Sequence, residues 1–339
     1  MAGEYVGIDL HRKRMVIVRK DSDGELVDSP VRIDNDPMAL AVEVAKAGEA
    51  PEVVIEATYG WYWVVDFLQQ ECGATVHLAH PLGLNWGHRR RKDDVADAVD
   101  LVDMLRLGRL PEAWIAPPEL RQVRELVRYR AKLVALRSGL KAQIHAVLAK
   151  EGVPVPMTDL FGVAGNRLLD DTPLGKAYTT RVGSLRRLIE GYDTEVGVIE
   201  AELAPLFRDD PHYQAIQAIP GVGPILAQVF IAEIGDVTRF PSGRHLASWT
   251  GLTPRHHESD DKVHRGRITK QGSRLVRWAA VEAAQKLRSG SFLKTDYQRI
   301  AERRGKSVAK VAVARKIIVL VFYGLRDGHI RCLDREAAA

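Results

Sequence analysis

Four carboxylates in the first hundred residues stand where chemistry could use them. Asp94 and Asp97 open a helical pattern (Val95, Ala98, Val99, Val102, Leu105), and their spacing puts both acids on one face of that helix. Two carboxylates held side by side repel unless something positive lies between them, and hard oxygen donors suit Mg²⁺ or Mn²⁺. The cations Arg89, Arg90, Arg91 and Lys92 run directly into this acidic turn. Alone, the stretch also reads as an acidic first helical turn favoured by the helix dipole. Asp9, in Tyr5-Val6-Gly7-Ile8-Asp9-Leu10, and Glu56, in Pro51-Glu52-Val53-Val54-Ile55-Glu56, each add an acid to an apolar run. Each could be a strand-end acid at a loop. Brought together with the helical pair, they could hold two metal ions for in-line attack at a phosphodiester.

The surrounding elements decide whether the acids can meet. Strands are expected over 5–10, 15–20, 27–33, 51–56 and 74–78, with helices after Pro37, over 62–70 and from Val95. The order β-β-β-α-β-α-β-α is that of ribonuclease-H-like folds and predicts an α/β domain over 1–110. In such a sheet the first and fourth strands are neighbours, which brings Asp9 towards Glu56.

Residues 111–207 read as a helical, coiled-coil middle. Leu126, Leu133, Leu140 and Val147 recur by sevens, residues 152–176 form a Gly-, Pro- and Asp-rich connector, and a second seam runs from Leu185 to Leu206. An antiparallel hairpin or a dimer bundle would satisfy both seams. Arg121, Arg124 and Arg128 have few acids to balance them, so they are candidates for phosphate contact beside the plainer reading of a solvated face.

A third, mainly helical domain is expected over 208–330, followed by a tail over 331–339. Ile219-Pro220-Gly221-Val222-Gly223-Pro224 precedes an apolar helix and matches a helix-hairpin-helix-like turn, with Gly221 and Gly223 placing backbone N–H groups towards a phosphate. From Thr250 to Arg277 the chain is polar, basic and glycine-punctuated, and reads as a loop built for something anionic, with Arg255, Arg265, Arg267 and Lys270 as its cations. Ser259 in that loop could be a nucleophile or could simply cap a turn. Val308 to Gly324 reads as a core helix, apolar on nearly all sides.

The 339 residues are 46% hydrophobic, enough for two or three cored domains, and the net charge of +5 permits a polyanionic partner. Cys72 and Cys332 are far apart, which argues against a disulfide framework or a zinc site. The N-terminus lacks a signal-peptide pattern and no apolar run reaches membrane-spanning length, so a cytoplasmic, nucleoid-associated protein without a membrane partner is expected.

The motifs Gly7-Ile8-Asp9, Ile55-Glu56-Ala57-Thr58-Tyr59-Gly60, Lys92-Asp93-Asp94-Val95-Ala96-Asp97-Ala98, Ile219-Pro220-Gly221-Val222-Gly223, Gly251-Leu252-Thr253-Pro254, Glu258-Ser259 and Ile268-Thr269-Lys270-Gln271-Gly272 follow one another along nearly the whole chain. In that order they resemble the IS-one-ten family of insertion-sequence transposases, the DEDD transposases similar to the Piv DNA invertase. The resemblance implies a RuvC-like N-terminal domain whose Asp9, Glu56, Asp94 and Asp97 bind Mg²⁺. It implies a dimerising coiled coil, as a dimer or a pair of dimers, and a C-terminal transposase domain whose nucleophilic serine maps onto Ser259. It further implies a recombinase acting on donor and target DNA, guided by a structured noncoding RNA, with the serine joined covalently to DNA in a site completed by a partner's acids. Two positions depart from the family pattern: Asp93 replaces the usual Thr or Ser, and Asp260 replaces the Gly after the serine. Competing readings are a metal-dependent RuvC-like nuclease or junction resolvase, a non-catalytic RNA- or DNA-binding protein and, least favoured for want of a phosphate-binding glycine loop, an actin-like sugar kinase.

Overall fold

The computed structural model describes residues 4–84, 93–259 and 262–333, with backbone alone for 256–259 and 262–265. Arg89, Arg90, Arg91, Lys92 and Asp260 therefore lie outside the described residues, as do the side chains of Ser259 and Arg265. The chain divides into two compact units, Met1–Ile115 and Ala116–Ala339.

The first unit runs β1 (Tyr5–Leu10), β2 (Arg14–Lys20), β3 (Val31–Asp34), α1 (Pro37–Ala45), β4 (Glu52–Glu56), α2 (Trp61–Gln70), β5 (Thr75–Ala79) and α3 (Asp94–Arg106). Its mixed sheet has the order β3-β2-β1-β4-β5, antiparallel across β1–β3 and parallel from β1 through β4 to β5. This order is compatible with a ribonuclease-H-like domain. Side chains alternate across the pleat. Val6, Ile8, Val53 and Ile55 pack with Leu40 of α1 and with Val64, Val65 and Leu68 of α2. On the opposite face, Val54 packs with Leu101 and Val102 of α3, while Val16 and Val18 pack with Ala98. Gly7 lies on that second face. A Cβ there would sit 2.5 Å from the Ala98 carbonyl oxygen and would collide with Val102, so the glycine is what lets α3 lie close on β1. The third strand starts later than expected, because Leu26 and Val27 are exposed and Pro30 breaks the run.

The second unit is mostly helical. α4 (Pro118–Lys150) and α6 (Lys176–Phe207) pack antiparallel, tied by Arg130 to Glu200, Arg137 to Asp193 and Arg181 to Gln143. The expected plain connector between them contains α5 (Val163–Asp171), whose Leu169 joins Ile144, Leu148 and Leu185 in a small core. Then follow α7 (Pro211–Gln217), α8 (Pro224–Ile234), α9 (Gly243–Trp249), β6 (Pro254–Ser259), β7 (Lys262–Ile268), α10 (Arg274–Gln285), α11 (Phe292–Arg304) and α12 (Lys306–Asp327). The basic stretch expected as a loop is thus an antiparallel β-hairpin. α12 buries Val313, Ile317, Ile318, Val321 and Phe322 in the main core, but Val308 and Tyr323 are 47% and 39% exposed, so the helix is core on one side only. None of the described helices is long and apolar enough to cross a membrane.

Candidate metal centre

Register brings two of the acids together. Ile8 pairs with Ile55 across parallel β1 and β4, so the next residues, Asp9 and Glu56, lie side by side near the ends of adjacent strands on the face that α3 covers. α3 supplies Asp94 and Asp97 from its first turn. Asp93 is occupied elsewhere, since its side chain accepts from the Val95 N–H at 3.1 Å and caps the helix. Asp94 is the acid that reaches the cluster.

That cluster is Asp9, His11 and Asp94, with one ligand atom from each within 4.8 Å of the others. His11 Nε2 lies 3.0 Å from Asp9 Oδ2 and 3.3 Å from Asp94 Oδ1, and Arg14 Nη2 lies 3.7 Å from Asp94 Oδ2. Asp9, Glu56 and Asp97 line an adjoining cleft of about 940 Å³ together with His11, Asn35 and Thr58. Asp9 and Asp97 are buried, at 5% and 4% exposure, while Glu56 and Asp94 are partly open. Burial pushes the Asp9 carboxyl above the usual carboxylate range; His11 opposes this, and Asp97 and Asp94 reinforce it.

The donors suit a hard divalent cation. Asp9 Oδ2 and His11 Nε2 are paired at 3.0 Å, yet neither buried atom makes a well-formed hydrogen bond. Asn35 Oδ1 and Thr58 Oγ1, on the same cleft, are buried and unpartnered. Buried polar atoms are rarely left this way, and four around one cleft fit a site shaped for a charged ligand. His11 was absent from the sequence expectations. Its signal was the period-two spacing from Asp9 at the end of β1, which places both on one side.

The cations assigned to phosphate on α4 need correction. Arg121 is buried, at 5% exposure. Arg124 donates to the carbonyls of Ala232 and Glu233 at 2.6 and 3.0 Å, and Arg128 grips the buried Glu233 carboxylate at 2.6 and 3.2 Å. The bonding of Arg124 and Arg128 serves the C-terminus of α8, where carbonyls lack helical partners. A charged helix face read from sequence cannot reveal that its partner lies a hundred residues away.

The other residues singled out in the sequence fall in the second unit. Gly221 has φ +88° and packs against the Ala283 carbonyl; with Gly223 it borders a cleft of about 610 Å³ flanked by Lys286 and Arg288. Ser259 is the last paired residue of β6, opposite Lys262. Arg255, Arg267 and Lys270 are exposed on or beside the hairpin. The hairpin root explains two motifs. Gly251 and Gly272, both left-handed, pass so close to the Gln271 and Trp249 carbonyls that neither has room for a side chain. Arg277 Nη1 ties the root by donating to the carbonyls of Thr250, Gln271 and Gly272 at 3.0, 2.6 and 3.1 Å.

Comparison with known proteins agrees with this layout. A DEDD transposase model of the IS110 group, described as "Transposase", matches residues 6–151, and the model described as "Transposase IS116/IS110/IS902 family" matches residues 213–298. The chain is 27% identical over 267 residues to a probable family 20 transposase of Pseudomonas aeruginosa, covering 75% of this chain and 78% of that protein. It is 28% identical over 297 residues to the transposase for insertion sequence element IS1111A of Coxiella burnetii, covering 83% and 79%. It is 26% identical over 293 residues to the transposase for insertion sequence element IS1328 of Yersinia enterocolitica, covering 82% and 84%. The acid-bearing sheet with α3 falls within the first matched region and the glycine turn and hairpin fall within the second, and the chain belongs to the IS116/IS110/IS902 family of transposases.

Proposed function

We propose that Asp9, Glu56, Asp94 and Asp97, with His11, form the site at which this transposase uses Mg²⁺ or Mn²⁺ to cut and rejoin DNA, on a ribonuclease-H-like domain. The observation that carries the reading is the convergence of Asp9, His11 and Asp94 from a strand, its following turn and a helix, with the facing atoms of Asp9 and His11 lacking a well-formed hydrogen bond. Asp9, His11 and Asp94 would hold a divalent ion, which would supply Lewis-acid stabilisation to charge developing on a phosphodiester. The chain's own contribution is position. β1 and β4 fix Asp9 and Glu56, and α3 presents Asp94 and Asp97 at a distance set by Gly7. His11 Nε2 would add a nitrogen donor beside the two carboxylates.

In this reading Ser259 is the nucleophile. Its support is the family resemblance and its place at the end of β6. Serine Oγ bonds to phosphorus and gives its proton to a base, while the bond from phosphorus to the departing strand breaks and that strand leaves as a hydroxyl. The serine–DNA phosphodiester keeps the bond energy for rejoining. Guidance by a structured noncoding RNA, and assembly as a dimer or pair of dimers, rest on the resemblance alone.

The test is to incubate the protein with labelled DNA, its co-purifying RNA and Mg²⁺, denature, and look for DNA migrating with protein. Ser259→Ala should lose the adduct, and Asp9→Ala should lose all cleavage. Cleavage without an adduct, retained in Ser259→Ala, would replace the serine by water and make the protein a metal-dependent nuclease. Cleavage retained in Asp9→Ala would remove the acids from the reaction.

A further inference from the structure

We propose that the cleft between α12, the β6–β7 hairpin and the start of α9 binds an unpaired stretch of nucleic acid, bases against the helix and phosphates on the rim. The proposal rests on the reading that this transposase handles nucleic acid, and concerns a site apart from the acids.

The cleft, of about 1330 Å³, lies wholly within the second unit. Its floor is one stripe of α12: Val308, Val311, Ala312, Val319 and Tyr323 recur at helical spacing, with Ile268 of β7 opposite. The ends of this stripe are the exposed Val308 and Tyr323, on a helix whose other side is core. Its rim carries Arg244, Arg267, Lys270, Arg304 and Arg315, all exposed and drawn from different elements around the cleft. Among the described residues none of these five makes an ion pair, and no carboxylate lines the cleft; a sixth cation, Lys316, is turned to Asp296. Lys270 is one of two described non-glycine residues with positive φ, held at +58° while its N–H donates to the Gly251 carbonyl at 3.1 Å. A lysine kept in that uncommon conformation suggests that its direction matters.

Charge and floor together select the ligand. Cations around a cleft lined by no acid among the described residues call for a polyanion. A duplex would use the rim and waste the floor, because its base faces are stacked inside. An unpaired strand offers both phosphates and apolar base faces. Tyr323 supplies the aromatic surface, with the Arg326 guanidinium 5.1 Å from its ring centroid. Rim cations placed on α9, the hairpin, α11 and α12 also suit a backbone crossing the floor better than a single charged edge would.

The experiment measures binding of the full chain in EDTA to oligothymidylate, oligouridylate and a duplex of equal length, by fluorescence anisotropy across a salt series. Arg304→Gln with Arg315→Gln should lower the single-strand salt slope by about 1.4, two phosphates at roughly 0.7 each. Tyr323→Ala should weaken single-strand binding on the order of tenfold and leave duplex binding unchanged. A preference for either oligomer supports the proposal and names the strand as DNA or RNA. Equal loss for duplex and single strand, or no loss for either, would overturn it. So would a change of oligomeric state in the arginine variant with single-strand affinity intact, since a second copy would then cover the cleft. EDTA keeps the acid centre out of the measurement, so failure here leaves the metal reading standing, and failure of the metal reading leaves this binding intact.

Discussion

Replacing Gly7 with alanine should disable the proposed metal centre without touching any of its proposed ligands. The new Cβ would stand 2.5 Å from the Ala98 carbonyl oxygen and would also overlap Val102. Ordinary contact needs about 3.5 Å, so α3 must retreat by about 1 Å. Overpacking of this kind costs about 1–3 kcal/mol, which lowers the melting temperature by on the order of 5–15 °C for a unit of this size. The functional effect is sharper, because α3 carries Asp94 and Asp97 while Asp9 stays with the sheet. Metal ligand distances tolerate only about 0.2 Å, and mispositioning from outside the ligand set typically weakens affinity about 10- to 100-fold. The assay is Mn²⁺ titration by calorimetry, with thermal unfolding in parallel. Adding Val102→Ala removes the side-chain clash but leaves the carbonyl, so the double variant should not recover wild-type affinity. Wild-type Mn²⁺ affinity in Gly7→Ala would refute the reasoning, since α3 would then not be set by that contact.

Three further outcomes follow from the same geometry. Asp9→Asn should raise the melting temperature of metal-free protein at neutral pH: burial raises the Asp9 carboxyl in the fold, so its contribution is fully present below the unfolded pKa and is lost as pH rises through the folded value. The gain should vanish in acid, and a metal-induced rise in melting temperature should be absent from the variant. Arg128→Ala should destabilise the second unit by about 1–3 kcal/mol in a denaturant titration, because Glu233 is buried while Arg128 itself is half open to water. Gly272→Ala should cost at least about 3 kcal/mol, by combining positive φ with overlap on the Trp249 carbonyl; a variant as stable as wild type would show that the hairpin root is looser than described.

The first unit was the more legible in sequence. Strands β1, β2 and β4 are buried on both faces and read as apolar runs, with the acids near the ends of β1 and β4, and the helices α1 and α3 carry readable starts at Asp36 and Asp93. The hairpin of β6 and β7 was missed because its residues are polar on both faces, leaving Val263 and Ile268 as poor markers of alternation. α5 was hidden by the Gly and Pro around it; it exists because Leu169 completes a core built by two distant helices. The acids of the candidate site could be named from sequence; His11 left only its two-residue spacing from Asp9 as a sign, and Asn35 and Thr58 left less. Their place depends on turns following the strands, and turn geometry leaves little trace in residue type. Arg124 and Arg128 show the opposite failure: composition made them look available, and tertiary structure had already engaged them.

The long helix α4 joins two separate cores. Near its start Val127 belongs to the main core, with Leu203 and Phe207 of α6; near its end Ile144, Val147 and Leu148 belong to the smaller one, with Val182 and Ile189. Between them the two helices are bridged by ion pairs of arginine with Glu200 and Asp193. With 33 residues, α4 is roughly 50 Å long. Such a member should open in stages, the far core coming apart while the near one stays closed. Amide exchange along α4 and α6 should then divide into a fast class beyond the arginine bridges and a slow class before them. On this reading the far end should be able to unfold while the main core behind it stays intact.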